Sequence, residues 1–141
     1  MTLTESIKTC FHKYAVFNGR AKRSEYWFFF LFGALCAVSL SILDAALFPK
    51  NETGVFSLIF TLLTFIPFIS AACRRLHDTN RSGWWQTLPY GVMLFSVILA
   101  LLSETLLIVG LIGSGIAAIV VIFWMASAGD NSKNRFGPAP K

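Results

Sequence analysis

The chain has 141 residues, of which 55% are hydrophobic, 15% aromatic and only 13% charged, whereas a soluble domain carries about 25% charged residues. So little charge cannot cover the surface of a soluble globule of this size. A typical cytosolic domain, a disordered tail and a free nucleic-acid-binding module are thereby excluded, and the length allows one domain. The net charge of +5 then reads first as a signal of membrane topology rather than of a nucleic-acid partner.

The first segment, 1–18, predicts a short amphipathic helix. Ile7, Cys10, Phe11 and Tyr14 recur at helical spacing with Lys8, His12 and Lys13 on the other side, Thr2 and Glu5 have the spacing of a capping box, and Asn18 and Gly19 make a stop. Such a helix lies along a membrane interface with its lysines near anionic headgroups, or packs under the bundle. No apolar run precedes the first long span, so a cleavable signal peptide is not expected.

Four apolar stretches follow, at 26–48, 55–73, 84–102 and 105–128, with Asp44 their single charged residue. Each is long enough to cross a hydrocarbon core of about 30 Å as a helix rising about 1.5 Å per residue. Only Ser103 and Glu104 interrupt the last two stretches, which predicts a tight hairpin turning there. Every Lys and Arg except Lys50 falls before the first span, between the second and third, or after the fourth. By the positive-inside rule the expected fold is therefore an all-α integral membrane protein of four transmembrane helices, a single domain with both termini and the tail at 129–141 in the cytoplasm.

Within the spans, Gly33, Ala37 and Ser41 form a small-residue stripe on the first, and Gly110, Ser114 and Ala118 form another on the fourth. Both are candidates for close helix packing, within one chain or across a homo-oligomer. Pro67 removes a backbone donor from the second span. Tyr26, Trp27, Trp84, Trp85 and Trp124 fall at the ends expected to be cytoplasmic, as an aromatic belt does. Cys10, Cys36 and Cys73 form no CxxC pair and read as small buried hydrophobes. Asn51, Glu52 and Thr53 match a glycosylation sequon close to the bilayer.

The polar chemistry gathers in three segments expected on one membrane face: FNGRAKRSEYW at 17–27, RRLHDTNRSGWW at 74–85 and GDNSKNRFGPAP at 129–140, the last containing most of the motif NRFGPAPK at 134–141. In order and spacing these resemble the bacterial inner-membrane proteins of domain-of-unknown-function family 805, over nearly the whole chain. The resemblance implies about four transmembrane helices and brings no established biochemical activity with it. Asn80 stands where a glycine is commoner in that family.

Arg20, Arg23, Glu25, Arg74, Arg75, His77, Asp78, Arg81, Asn134 and Arg135 are the candidate residues of this cluster. One reading is a structural clamp of arginines on carboxylates and main-chain carbonyls, with the tail folded back over it. A compatible one leaves a net positive site for an anionic lipid headgroup, ligand or partner protein. Catalysis is not expected: His77 and Asp78 are adjacent and point about 100° apart on a helix, and no HExxH, CxxC, GxSxG or P-loop pattern occurs. Neither a metal nor a cofactor is implied. The alternative function is an oligomeric channel or small-solute transporter lined by Ser57, Thr61 and Thr64, although no span carries a charge near its middle.

Overall fold

The first helix, α1 (Leu3–His12), opens on the expected capping box: Glu5 N–H donates to the Thr2 hydroxyl at 3.3 Å, and Thr2 N–H to the Glu5 carboxylate at 2.8 Å. It ends at His12 rather than near Asn18. The carbonyls of Lys13 and Val16 instead accept from the Arg74 guanidinium, which draws the chain out of helical register. The computed structural model describes residues 1–49, 54–101 and 103–140; Lys50, the sequon at 51–53, Leu102 and Lys141 lie outside the described residues.

Helices α2 (Arg23–Leu47) and α3 (Val55–Asp78) form the first hairpin. Both are longer at the polar end than the apolar runs alone predict, so Arg23–Glu25 and Arg74–Asp78 are helical. At the opposite end, buried Asp44 of α2 accepts from the backbone N–H groups of Phe56 and Ser57 at 2.9 Å and from the Ser57 hydroxyl at 2.7 Å. One carboxylate thus caps α3 and favours its N-terminal dipole. Pro67 leaves the Leu63 carbonyl without its helical donor, and the Tyr14 hydroxyl supplies one at 2.7 Å. Together with Cys10, Phe29 and Ala71, which pack into one buried cluster, this bond docks α1 against the hairpin.

The second hairpin pairs α4 (Leu88–Leu99) with α5 (Glu104–Ala126). The stretch expected as a single third span is not one continuous helix. A 3₁₀ turn over Gly83–Thr87 precedes α4, because Pro89 has no N–H and Leu88 N–H bonds Trp85 in i→i−3 fashion. Among the described residues three helices, α2, α3 and α5, are long and apolar enough to cross a membrane, whereas four were expected. The turn between α4 and α5 ends at Ser103, whose hydroxyl accepts from Thr105 N–H at 3.3 Å.

The two small-residue stripes are used within the chain in part. Gly33 is buried and lies against the Phe68 ring, while Ala37 and Ser41 are exposed and the Ser41 hydroxyl bonds Val38 of its own helix. On α5, Gly110 abuts Ser96, the Ser114 hydroxyl donates to the Pro89 carbonyl at 2.9 Å, and Ala118 borders a cleft between the hairpins. Regular structure among the described residues is otherwise all helical, and the hairpins meet at one end, where Ala72 and Leu76 pack on Val121 and Met125.

Candidate functional site

The polar end of the molecule is built by the last turn of α3. Its sequence, Arg74-Arg75-Leu76-His77-Asp78, sends neighbouring side chains about 100° apart, so each engages a different part of the chain. Arg74 and Arg75 are fully buried, with relative exposures of 1% and 0%. Guanidinium groups are stable there only if they are paired and hydrogen-bonded throughout.

The pairing is shared among five segments. Arg74 meets Glu25 of α2 at 3.0 Å and donates to the Val16 carbonyl at 2.7 Å and the Ser70 hydroxyl at 3.1 Å. Arg75 donates to the Met125 carbonyl at 2.8 Å and to that of Ser127, taking the orphan carbonyls at the end of α5. Asp78 receives Arg75 on one oxygen and Arg20 on the other, the latter at 2.9 Å. Arg20 also donates to the carbonyls of Ser132 at 2.6 Å, Gly137 at 3.3 Å and Asp130, which fastens the tail. Three buried guanidinium groups thus face two carboxylates, and main-chain carbonyls take up the remaining positive charge. Among the described residues, Arg74 Nε is the single buried side-chain polar atom without a partner.

The tail closes over His77. Asn134 donates to the His77 carbonyl and to the Asp130 carboxylate, each at 3.0 Å, and Asn134 and Gly137 bond each other in a tight turn. That turn lays the Phe136 ring flat on the imidazole, centroids 3.8 Å apart. Arg135 donates to the Asn80 carbonyl at 2.9 Å. Gly129 passes so close to the Asp78 carboxylate that a Cβ there would overlap it. Sequence reading gave the tail its place in the cluster but not this glycine or the Phe136 stack.

A second feature escaped the sequence reading although its i, i+4 spacing was visible. The Gly19 carbonyl can only accept, so His77 Nδ1 carries a proton toward it at 3.0 Å, and Nε2 faces Cys73 Sγ at 3.5 Å. That is the geometry of a thiol beside an oriented base. The site is closed to substrate, however: both residues are buried, Sγ also lies 3.6 Å from the Phe17 carbonyl, and a Cβ on Gly83 would overlap the sulfur. Cys10, on the buried face of α1, has its thiol pushed up to about 11 by burial. Among the described residues no three His, Cys, Asp or Glu side chains converge as a metal site would require.

Two candidate arginines stand apart. Arg81 lies over the Trp124 ring at 4.7 Å and donates to the Thr79 carbonyl at 2.9 Å. Arg23 is exposed and, among the described residues, forms no ion pair; with Lys22, Asp130 and Pro140 it borders a cavity of about 240 Å³.

Residues 14–138 match the family model described as "Protein of unknown function (DUF805)". Inner membrane protein YhaH of Escherichia coli K12 is 33% identical over 130 residues, covering 91% of this chain and 89% of that protein. Inner membrane protein YhaI of the same strain is 32% identical over 128 residues, covering 91% and 88%. No solved structure matches.

Proposed function

The chain belongs to the DUF805 family of bacterial inner-membrane proteins, and on that premise we propose that it is a four-crossing interaction module whose arginine-rich cap faces the cytoplasm. The 3₁₀ turn of five residues and α4 of twelve together rise about 28 Å, close to one hydrocarbon core of about 30 Å. That length supports a fourth crossing. The described Lys and Arg residues lie in α1, the cap, its flanking loop and the tail, which supports cytoplasmic termini by the positive-inside rule.

The cap is first a clamp, because Arg20, Arg74 and Arg75 are buried and engaged by Glu25, Asp78 and main-chain carbonyls. The observation that carries an interaction role is the contrast with Arg23, exposed beside Lys22 at the rim of the small cavity. This corner meets an anionic phospholipid headgroup at the cytoplasmic surface. The hydroxyls offered for a pore are committed elsewhere: Thr61 and Thr64 donate to Ser57 and Phe60 of their own helix, and Ser57 to Asp44.

Spin-labelled phosphatidylglycerol or phosphatidylcholine, added in trace to phosphatidylcholine vesicles carrying the full chain, tests the reading. The immobilised fraction should be several-fold larger for phosphatidylglycerol and fall with added salt. Lys22→Ala with Arg23→Ala should bring it down to the phosphatidylcholine value. Equal immobilisation of both lipids by the unaltered protein overturns the headgroup role. A phosphatase fused after the tail, active only outside the cytoplasm, should be silent, and strong activity would reverse the orientation.

A further inference from the structure

Between the two hairpins lies an apolar cleft of about 820 Å³, within the range of about 300–1,000 Å³ usual for ligand sites. Its walls come from α2, α3, α4 and α5, with Phe30, Phe65, Met93, Ala118 and Ile122 among the lining residues and Tyr26 and Met125 at its floor. Phe30, Phe65, Met93 and Ile122 are about half exposed, so the cleft opens to the side. Three of its four walls are helices apolar enough to cross a membrane, and what surrounds such an opening is hydrocarbon.

The dimensions select the occupant. On α5 the lining runs from Ser114 to Met125, about 16 Å at the helical rise. That depth is about half a hydrocarbon core of about 30 Å, or one leaflet. A membrane-crossing helix of a second copy would run the full core of about 30 Å, about twice the depth of this lining; a flexible hydrocarbon chain of one leaflet matches it.

The walls also continue to the corner where Lys22 and Arg23 stand beside Asp130 and Asp78, the latter already taken by Arg20 and Arg75. On α2, Arg23 is one turn before Tyr26, and after α5 Gly129 lies four residues beyond Met125; both border the small cavity with Lys22. Gln86, Thr87 and Tyr90 add polar groups at the cleft wall. We propose that the cleft holds an acyl chain of a single phospholipid from the cytoplasmic leaflet, with its acidic headgroup at Lys22 and Arg23. The headgroup half rests on the reading above; the chain half rests on the cleft alone.

The test uses the full chain reconstituted in vesicles of equal phosphatidylglycerol and phosphatidylcholine, extracted in mild detergent and weighed intact by native mass spectrometry. One phospholipid per chain should survive extraction, phosphatidylglycerol several-fold over phosphatidylcholine. Ala118→Phe and, separately, Ile122→Trp fill the cleft from α5 and should each cut the lipid-bound fraction at least fivefold. Ile122 is half exposed, so its replacement leaves the packed core alone. Lys22→Ala with Arg23→Ala should keep the lipid and lose the preference. Equal retention of both lipids by the unaltered protein overturns the headgroup half and upholds the chain half. A lipid-free monomer, undiminished retention in both filled variants, or a lipid-free dimer overturns the cleft as a lipid site.

Discussion

The two hairpins are held by different chemistry. α2 and α3 are fastened by charge at both ends: Asp44 caps α3 at one, and Arg74 meets Glu25 at the other. Among the described residues α4 and α5 share no such bonds; they close on small residues, with Gly110 against Ser96 and the Ser114 hydroxyl on the Pro89 carbonyl. Among the described residues the second hairpin joins the first near the cap, through Arg75 and the packing of Leu76 on Val121 and Met125. The first hairpin thus carries the second as a limb attached near the cap, and the cleft is the space that this attachment leaves. In a bilayer, where burying apolar surface drives little association, the few polar bonds decide which parts move together.

The attachment is the place to break that arrangement with the largest effect. Asp78→Ala removes the carboxylate shared by Arg20 and Arg75 and leaves two buried guanidinium groups without a counter-charge. Losing one partner of a buried ion pair costs about 3–5 kcal/mol. Thermal unfolding in detergent should show a loss of that order, with the tail and the α4–α5 hairpin becoming accessible to protease first. A variant as stable as the parent would mean that the cap does not hold the hairpins together.

A change inside the limb sharpens the comparison. Gly110→Val would drive a side chain into Ser96, and overpacking of this kind costs about 1–3 kcal/mol. Hydrogen exchange should rise in α4 and α5 while α2 and α3 keep their protection. An equal rise in both hairpins would show that they unfold as one unit and that the limb is not separable.

How much of this was legible follows the same division. Hydropathy located the long helices, because it is a property of runs rather than of partners. The cap's membership was legible too: Arg20, Glu25, Arg74, Arg75, Asp78 and Asn134 do converge, since polar residues at helix ends are gathered wherever the helices end. What stayed hidden were choices of partner. Pro67 announces that Leu63 lacks a donor, but only the fold shows that Tyr14 provides it. Asp44 read as a charge near a span's end, and its role as the cap of the next helix needs the hairpin. The third stretch was misread as one helix because hydropathy ignores the missing N–H of Pro89.

The smallest predicted effect lies at the chain's passage from one hairpin to the other. Asn80 has φ +57°, and around it Arg81 N–H bonds Leu76 while Asn80 N–H bonds His77, both at 3.0 Å. That pattern is the Schellman ending of α3, whose left-handed position favours glycine and tolerates asparagine. A glycine here would meet the same backbone requirement as this chain's asparagine. Asn80→Gly should leave the melting temperature nearly unchanged, whereas Asn80→Ala, strained at positive φ, should cost about 1–2 kcal/mol. If the alanine were tolerated as well as the glycine, α3 would not need this ending to aim the chain from Asp78 toward the second hairpin, and the attachment would rest on the arginines alone.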